Sequence, residues 1–312
     1  MAYGKIRTER GIKMARKKVH DKKWSAFYVI ALVILLVYTI SLFAPVVWAI
    51  ITSFKDVTTD WNLGNTIGAP KTWYWQNYVY VFSKFTLPIT INGGQPARVG
   101  VIGMFSNSFF YAIGCAFCKT AIPLVMSFLC ARFPYKLSKI IHTIVIVTMI
   151  LPIVGSLPSE IKMAHALGLY DSILGLWFMK SNFLGMYFLV FYNTFKSFSP
   201  AYIEAAKLDG ANNFSVFFRI VLPLVKNTFF TVMLIEFIIF WNDYQIPLIY
   251  LPNHPTLAQA MYQMGVKSTD QKLTKPPMRL AGAMIMFVPL FTVFIVFHKK
   301  FMGNLTMGGV KG

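Results

Sequence analysis

The chain has 312 residues, of which 56% are hydrophobic and only 13% are charged. Because a soluble domain carries about a quarter charged residues, this composition excludes an ordinary soluble protein and predicts a polytopic membrane protein. The net charge is +19, an excess that in a membrane protein is typical of loops facing anionic lipid and not of nucleic-acid binding.

The chain begins with a basic segment. Residues 1–23 contain nine Lys or Arg, without the aromatic residues or motif that would indicate a nucleic-acid partner. We predict a cytoplasmic tail at the membrane surface. Residues 24–51 are continuously apolar and too long for the core of a signal peptide, so they predict an uncleaved first span with a kink at Pro45.

Five more apolar segments follow the first. The further predicted spans are 104–130, 138–157, 181–198, 228–251 and 280–298. The predicted fold is therefore all-α, a polytopic membrane protein with six transmembrane helices. We predict that the segments at 52–100 and 252–279 are long polar loops and that 158–179 forms an interfacial helix or hairpin.

Basic residues are distributed unequally between the two sides of this topology. Segments 1–23, 131–139, 196–226 and 299–312 together contain 19 Lys or Arg, whereas the longer loops on the opposite side contain 10. The positive-inside rule then places both termini and the 199–227 segment in the cytoplasm.

The segment at 199–227 is mixed in character, between two apolar stretches. Ser199 and Pro200 are typical of a helix start, and Gly210 of a helix stop. Asn212 or Asn213 can cap a second helix. We expect this second helix to carry one apolar face formed by Phe214, Phe217, Phe218 and Val221.

The first of these helices has the composition of a docking element. Ala201, Ala205 and Ala206 permit close backbone approach, and Glu204 and Asp209 can meet basic side chains of a partner. The alternative is an ordinary cytoplasmic hairpin that reconnects two spans. The residues alone leave both interpretations open.

A family resemblance favours docking. Glu204-Ala205-Ala206, Asp209-Gly210-Ala211 and Ile220-Val221-Leu222-Pro223 resemble the EAA loop of ABC importer permeases. The run from Phe240 to Tyr244 is similar to the fifth span of carbohydrate-type permeases. The end of the chain resembles that of MalG-like permeases and contains Leu305, Thr306, Gly308 and Gly309.

The resemblance implies a permease subunit, spanning 24–312, of an ATP-driven importer in the bacterial cytoplasmic membrane. Its partners would be a second, MalF-like permease, two ATPase subunits and an extracytoplasmic solute-binding protein, all around a lipid bilayer. The cargo would be a sugar or oligosaccharide. The coupling residues would be Glu204, Ala205, Ala206, Asp209, Gly210 and Ala211.

The same resemblance assigns ATP to the partners. The tail at 299–312, with Leu305, Thr306, Gly308 and Gly309, would reach between the ATPase subunits. The chain lacks a phosphate-binding G-x-x-x-x-G-K-[ST] loop, so we expect no cofactor and no enzyme activity of its own.

Polar residues in the predicted fifth span form a second candidate site. Glu236, Trp241, Asn242 and Asp243 lie there, and helical spacing places Glu236, Phe240 and Asp243 on one face. Because a charge inside the bilayer costs about 2.5–3.5 kcal/mol, such groups face a partner or an aqueous path. They line a translocation path, or they form a structural hydrogen-bond cluster. In an alternative function, an ion-coupled secondary transporter would use Glu236 and Asp243 as its relay.

The three cysteines do not complete a reactive site. Cys115, Cys118 and Cys130 lie in or beside the second predicted span, with no second pair and no His cluster. We therefore predict apolar packing residues and no metal site. A membrane-embedded enzyme would need convergent catalytic groups, which the scattered His, Cys and Asp residues do not provide.

Overall fold

The computed structural model describes residues 26–91, 94–133, 135–151, 155–199, 201–266 and 270–305. The predictions for the tail at 1–23 and for Thr306, Gly308 and Gly309 lie outside these residues. Helices dominate, and the strands are confined to one hairpin. In chain order the helices are α1 (Ala26–Ser53), α2 (Gln76–Lys84), α3 (Val101–Arg132), α4 (Lys136–Ile150), α5 (Leu157–Ala166), α6 (Ile173–Met179), α7 (Met186–Ser197), α8 (Ala201–Leu208), α9 (Asn213–Val216), α10 (Leu222–Asn242), α11 (Gln245–Tyr250), α12 (Leu257–Val266) and α13 (Pro276–Leu305).

Several helices can cross a membrane. Within the described residues, four stretches are long and apolar enough to do so: Ala26–Ser53, Val101–Arg132, Asn213–Asn242 and Pro276–Phe297. The third of these contains α9, a π-helical turn at Phe217–Val221, and α10. These four correspond to the first, second, fifth and sixth predicted spans.

The third and fourth predicted spans are shorter than expected. α4 has 15 residues and α7 has 12, so they are about 22 Å and 18 Å long, against a hydrocarbon core of about 30 Å. α4 ends because Leu151 precedes Pro152 and is extended, with ψ 116. α7 begins after Gly185, whose φ of +131 is outside the helical region.

The fifth span was expected to be one helix over 228–251, but the structure divides it in two. α10 ends at Asn242 because Asp243 is extended, with ψ 120, and α11 then begins at Gln245. Asp243 is therefore not part of the helical face that Glu236 and Phe240 share.

Helix α3 is at the centre of the packing. Tyr111, Ala112, Cys115 and Ala116 on this helix are completely buried, and α6, α7 and α10 pack around it. One close approach depends on a glycine, because a Cβ at Gly114 would lie 1.9 Å from the ring of Trp177 on α6. The Trp177 indole also donates a hydrogen bond to the Phe110 carbonyl at 3.0 Å.

The predicted polar loop at 52–100 is in fact folded. It contains a π-helical turn (Val57–Trp61), α2, and an antiparallel hairpin of β1 (Thr86–Ile91) and β2 (Gln95–Gly100). Side chains form hydrogen bonds with its backbone. The buried Asn77 side-chain amide donates to the carbonyls of Ser53 and Lys55, at 2.9 and 2.8 Å. Such hydrogen bonds to buried backbone carbonyls allow a polar segment to pack.

The second predicted loop, at 252–279, is also folded. Its helix α12 is buried against α3, where the Ser108 hydroxyl accepts a hydrogen bond from the Leu257 amide at 2.7 Å. Asn107, also on α3, donates to the Pro255 carbonyl at 3.0 Å. These contacts explain why a segment of polar composition is not an exposed loop.

A hydrogen-bond network links three of these connecting segments. Asp171, between α5 and α6, accepts hydrogen bonds from the backbone and side-chain amides of Asn253, at 3.0 and 2.7 Å. The Asn253 side-chain oxygen accepts from the Thr90 amide on β1 at 2.7 Å. The hairpin is therefore attached to the rest of the fold by side chains distant in sequence.

Candidate functional site

The short helix α8 has a well-defined C-terminus. Gly210 has a φ of +81, and its amide donates to the Lys207 carbonyl at 3.0 Å. The Ala211 amide donates to the Ala206 carbonyl at 2.9 Å. This pair of hydrogen bonds is a Schellman motif, which requires a left-handed residue at the Gly210 position. Gly210 therefore stops the helix, as its sequence predicts.

Helix α8 exposes its acidic residues and packs one small residue inward. Glu204, Ala205 and Asp209 are exposed, whereas Ala206 is buried in a cluster with Phe128 of α3. Ala206 therefore contacts the bundle, whereas Ala205 lies on the exposed side of the helix. The acidic groups remain accessible.

A cavity of about 200 Å³ with mixed polar and apolar lining lies between α8 and the end of α3. Arg132 of α3 and Glu204 and Lys207 of α8 line it. The Arg132 guanidinium donates to the Phe198 carbonyl at 3.1 Å, which connects α3 to the end of α7. The segment at 199–227 therefore packs directly against the end of the central helix α3.

The second helix of the loop begins as predicted but is oriented differently. The Asn212 side chain accepts from the Ser215 amide at 2.8 Å and caps α9. Phe217 and Val221 pack inward, but Phe214 and Phe218 are 77% and 58% exposed. The four residues therefore do not form one face, because the π-helical turn shifts the register of the helix.

Asp243 stabilises the break between α10 and α11 through hydrogen bonds. One carboxylate oxygen accepts from the Gln245 and Ile246 amides, at 2.9 and 3.2 Å. The other accepts from the Tyr111 hydroxyl at 2.9 Å. These contacts are those of a helix N-cap anchored to α3, so they favour the structural interpretation of Asp243.

Trp241 and Asn242 also form local contacts. Trp241 is 2% exposed, and its indole donates to the Met286 carbonyl on α13 at 3.2 Å. Asn242 is exposed and donates to the Ile238 carbonyl of its own helix at 2.8 Å. These contacts hold Trp241 against α13 and Asn242 against its own helix.

Glu236 is the buried charge of α10. It is 4% exposed and lines a cavity of about 150 Å³ with Lys119 of α3. The Tyr187 hydroxyl of α7 lies beside its carboxylate, and Asn182 also lines the cavity. Sequence reasoning did not identify Tyr187 or Asn182, because neither carries a charge or belongs to a motif.

The remaining site predictions concern metals and the C-terminal tail. Leu305 is the last residue of α13 and the last that the structure describes. Across the described ranges, no group of three or more His, Cys, Asp or Glu side chains is arranged to hold a metal ion.

The structure is a helical bundle in which a short exposed helix, α8, lies beside the end of the central helix α3. Residues 123–302 match the protein family described as binding-protein-dependent transport system inner membrane component. This match covers more than half of the chain, and the chain belongs to that family.

Relatives and a solved structure extend the comparison. The arabinooligosaccharides transport system permease protein AraQ of Bacillus subtilis (strain 168) is 23% identical over 304 residues, covering 94% of this chain and 99% of the relative. The melibiose/raffinose/stachyose import permease protein MelC of the same organism is 28% identical over 187 residues, covering 58% of this chain and 66% of the relative. The crystal structure of a bacterial ABC transporter involved in the import of the acidic polysaccharide alginate contains a similar chain. Its TM-score is 0.72 at 20% identity, with 90% of this chain and 98% of that chain covered, and it shows the same fold.

Proposed function

We propose that this protein is the permease subunit of an ATP-driven ABC importer that translocates a sugar or oligosaccharide. An extracytoplasmic binding protein delivers the solute, a second MalF-like permease completes the pathway, and two separate ATPase subunits bind and hydrolyse ATP. The transmembrane domain comprises 24–312 and crosses the cytoplasmic membrane of a bacterium six times, with both termini inside.

Family membership is the main support for this proposal. The sugar-specific names of AraQ and MelC support a carbohydrate as the solute. The exposed acidic surface of α8 supports docking to an ATPase, because Glu204 and Asp209 are free to meet basic side chains.

The geometry also supports a route for force transmission. α8 packs through Ala206 on the cluster that contains Phe128 of α3, and α3 is the helix around which α6, α7 and α10 pack. An ATPase that moves α8 would therefore move the centre of the bundle. ATP binding draws the ATPases together and turns the permease pair outward, and hydrolysis returns it inward.

The coupling role is tested by reversing the charge of Glu204. The complex is extracted in mild detergent through an affinity tag on this chain, and the ATPase that co-purifies is quantified beside ATP-dependent sugar uptake. Because like charges across an interface cost several kcal/mol, Glu204→Lys should lower ATPase recovery at least about tenfold and abolish uptake.

Two controls make this result specific. Glu204→Gln removes the charge without reversing it and should give an intermediate loss. Gln76→Lys adds a positive charge at the exposed start of α2 and should leave both measurements unchanged. Undiminished ATPase recovery with Glu204→Lys would exclude the docking role.

A further inference from the structure

Arg132 is the last residue of the central helix α3, and its side chain contacts a distant part of the chain. Its guanidinium donates to the Phe198 carbonyl at 3.1 Å, across 66 residues of sequence. The Nε atom of the same side chain is buried. An arginine that only anchored a helix end at the membrane surface would extend its polar atoms toward water or lipid headgroups. The burial and the hydrogen bond instead indicate a link between two segments.

Phe198 lies between two helices and belongs to neither. It follows the last residue of α7 and is extended, with ψ 139, and α8 begins shortly after it at Ala201. Its carbonyl oxygen is therefore outside both helical hydrogen-bond ladders and needs a donor from elsewhere. Arg132 supplies that donor. One hydrogen bond thus attaches the residue from which the chain enters α8 to the end of α3.

Aromatic rings pack beside this hydrogen bond. The Phe198 ring meets that of Phe195 edge-on, with centroids 6.2 Å apart, and Phe195 meets Phe128 of α3 at 5.5 Å. Phe128 also contacts Phe217, at 5.0 Å. A hydrogen bond from a charged donor is strong, and an apolar environment strengthens it further because the local dielectric is low.

The hydrogen bond of Arg132 differs in kind from the apolar contact that α8 makes. Ala206 of α8 is buried in the cluster that contains Phe128, where it contributes a single methyl group. Apolar burial is non-directional, so two such surfaces can slide over each other. A hydrogen bond has a preferred length and angle. A displacement at Phe198 therefore pulls on the end of α3.

We propose that Arg132 is a positioning residue of the import cycle, which transmits a displacement of α8 to α3 through the Phe198 carbonyl. This inference rests on the proposed function, because the ATPase subunits supply the displacement. It separates two tasks: Glu204 and Asp209 dock the ATPase, and Arg132 passes its movement to the bundle. Loss of Arg132 should therefore leave docking intact and weaken the response of α3.

A fluorescent reporter on α3 measures this response. In a chain with Cys115, Cys118 and Cys130 replaced by Ala, a single cysteine replaces Ile102, which is 68% exposed at the opposite end of α3 from Arg132. An environment-sensitive fluorophore is attached to it. The complete complex in detergent receives a non-hydrolysable ATP analogue, and the fluorescence change is recorded beside ATPase recovery.

Three substitutions separate the hydrogen bond from the size of the side chain. Arg132→Met keeps an unbranched apolar stem but has no donor, and it should reduce the fluorescence change at least about twofold with unchanged ATPase recovery. Arg132→Lys keeps a charged donor and should retain most of the change. Lys139→Met removes an exposed positive charge from α4 and should alter neither measurement.

The outcomes that contradict the inference are distinct. Equal fluorescence changes in Arg132→Met and the unmodified chain would overturn it, and so would equal losses in Arg132→Met and Arg132→Lys. If Arg132→Met does not assemble, Arg132→Gln, which also loses the charge and part of the reach, decides in its place. Failure of both variants to assemble would make Arg132 a folding residue and would also overturn the inference.

The unmodified chain separates this inference from the proposed function. If only the role of Arg132 is wrong, the ATPase still co-purifies with the unmodified chain and its reporter responds to the nucleotide. If the import function itself is wrong, no ATPase co-purifies with the unmodified chain and its reporter gives no response.

Discussion

Gly210 determines how helix α8 ends, and one substitution can test the proposed docking of this helix. A β-branched side chain in the left-handed conformation costs about 1–3 kcal/mol. Gly210→Val should therefore disrupt the Schellman hydrogen bonds of Lys207 and Ala206, displace α8, and lower ATPase recovery while the chain still inserts. Co-purification and membrane fractionation measure the two effects.

Gly168 provides a matched control for this substitution. Its φ is +66, and like Gly210 it has no neighbouring atom that an added Cβ would meet within 4 Å. Gly168→Val introduces similar strain in the turn that follows α5. ATPase recovery should stay normal in this variant, and an equal loss in both variants would attribute the effect to general destabilisation.

Substitutions of Asp243 can distinguish an ATP-driven importer from an ion-coupled secondary transporter. Its carboxylate caps α11 and accepts from Tyr111, and Asn is about as good an N-cap as Asp. Asp243→Asn should therefore change stability by less than about 1 kcal/mol and leave uptake intact. Asp243→Ala should cost about 1–3 kcal/mol, because it leaves the buried Tyr111 hydroxyl without this acceptor. Thermal unfolding measures the stability of the two variants, and a transport assay measures their uptake. Loss of uptake in Asp243→Asn would support a proton relay.

At the scale of elements, the folded segment after α1 should respond to pH through Asp56. Burial raises the pKa of this carboxyl, but hydrogen bonds from Thr58 and Thr59 outweigh burial and hold it below the ordinary 3.8. A depressed pKa stabilises the fold above the unfolded-state value, and this stabilisation is lost as pH falls through the folded-state value.

The comparison of Asp56 with Asp56→Asn tests this effect. Above pH 3.8 the unmodified chain should be the more stable, and the difference should narrow as pH falls below 3.8. Thermal unfolding in detergent across this range measures it. A difference that stays constant with pH would show that the hydrogen bonds do not depend on the charge.

At the scale of the whole molecule, features set by neighbouring residues were predictable from the sequence, whereas contacts between distant segments were not. Gly210 and Asn212 act on their own neighbours, so stop and cap rules locate them correctly. Composition indicated a polar loop at 52–100, but the Lys55 ammonium donates to the carbonyls of Asn65 and Thr66 and the segment folds. Such contacts depend on the path of the chain and not on periodicity.

The same reasoning applies to the candidate sites. The EAA pattern lies within one short stretch of sequence, from 204 to 223, so its residues could be named from the sequence. The cavity beside Glu236 could not be predicted, because helix packing brings together Lys119, Asn182 and Tyr187 from separate segments. The early end of α10 at Asn242 also placed Asp243 outside the helix that carries Glu236.

The number of spans, four or six, depends on whether helices α4 and α7 cross the membrane. Cysteine labelling can test whether they do. In a chain with Cys115, Cys118 and Cys130 replaced by Ala, single cysteines are placed at three exposed positions that bracket the two helices: Lys136, Ala166 and Lys196. Spheroplasts are treated with a membrane-impermeant maleimide before and after permeabilisation.

Six spans predict that Ala166→Cys reacts in intact spheroplasts, whereas Lys136→Cys and Lys196→Cys react only after permeabilisation. A cysteine at Asn62 serves as the outer reference. Helices of 15 and 12 residues can cross where the bilayer thins or where flanking residues extend the span. If all three positions react from one side, α4 and α7 do not cross. A fully inverted pattern would contradict the orientation predicted from the 19 Lys and Arg residues on one side of the topology.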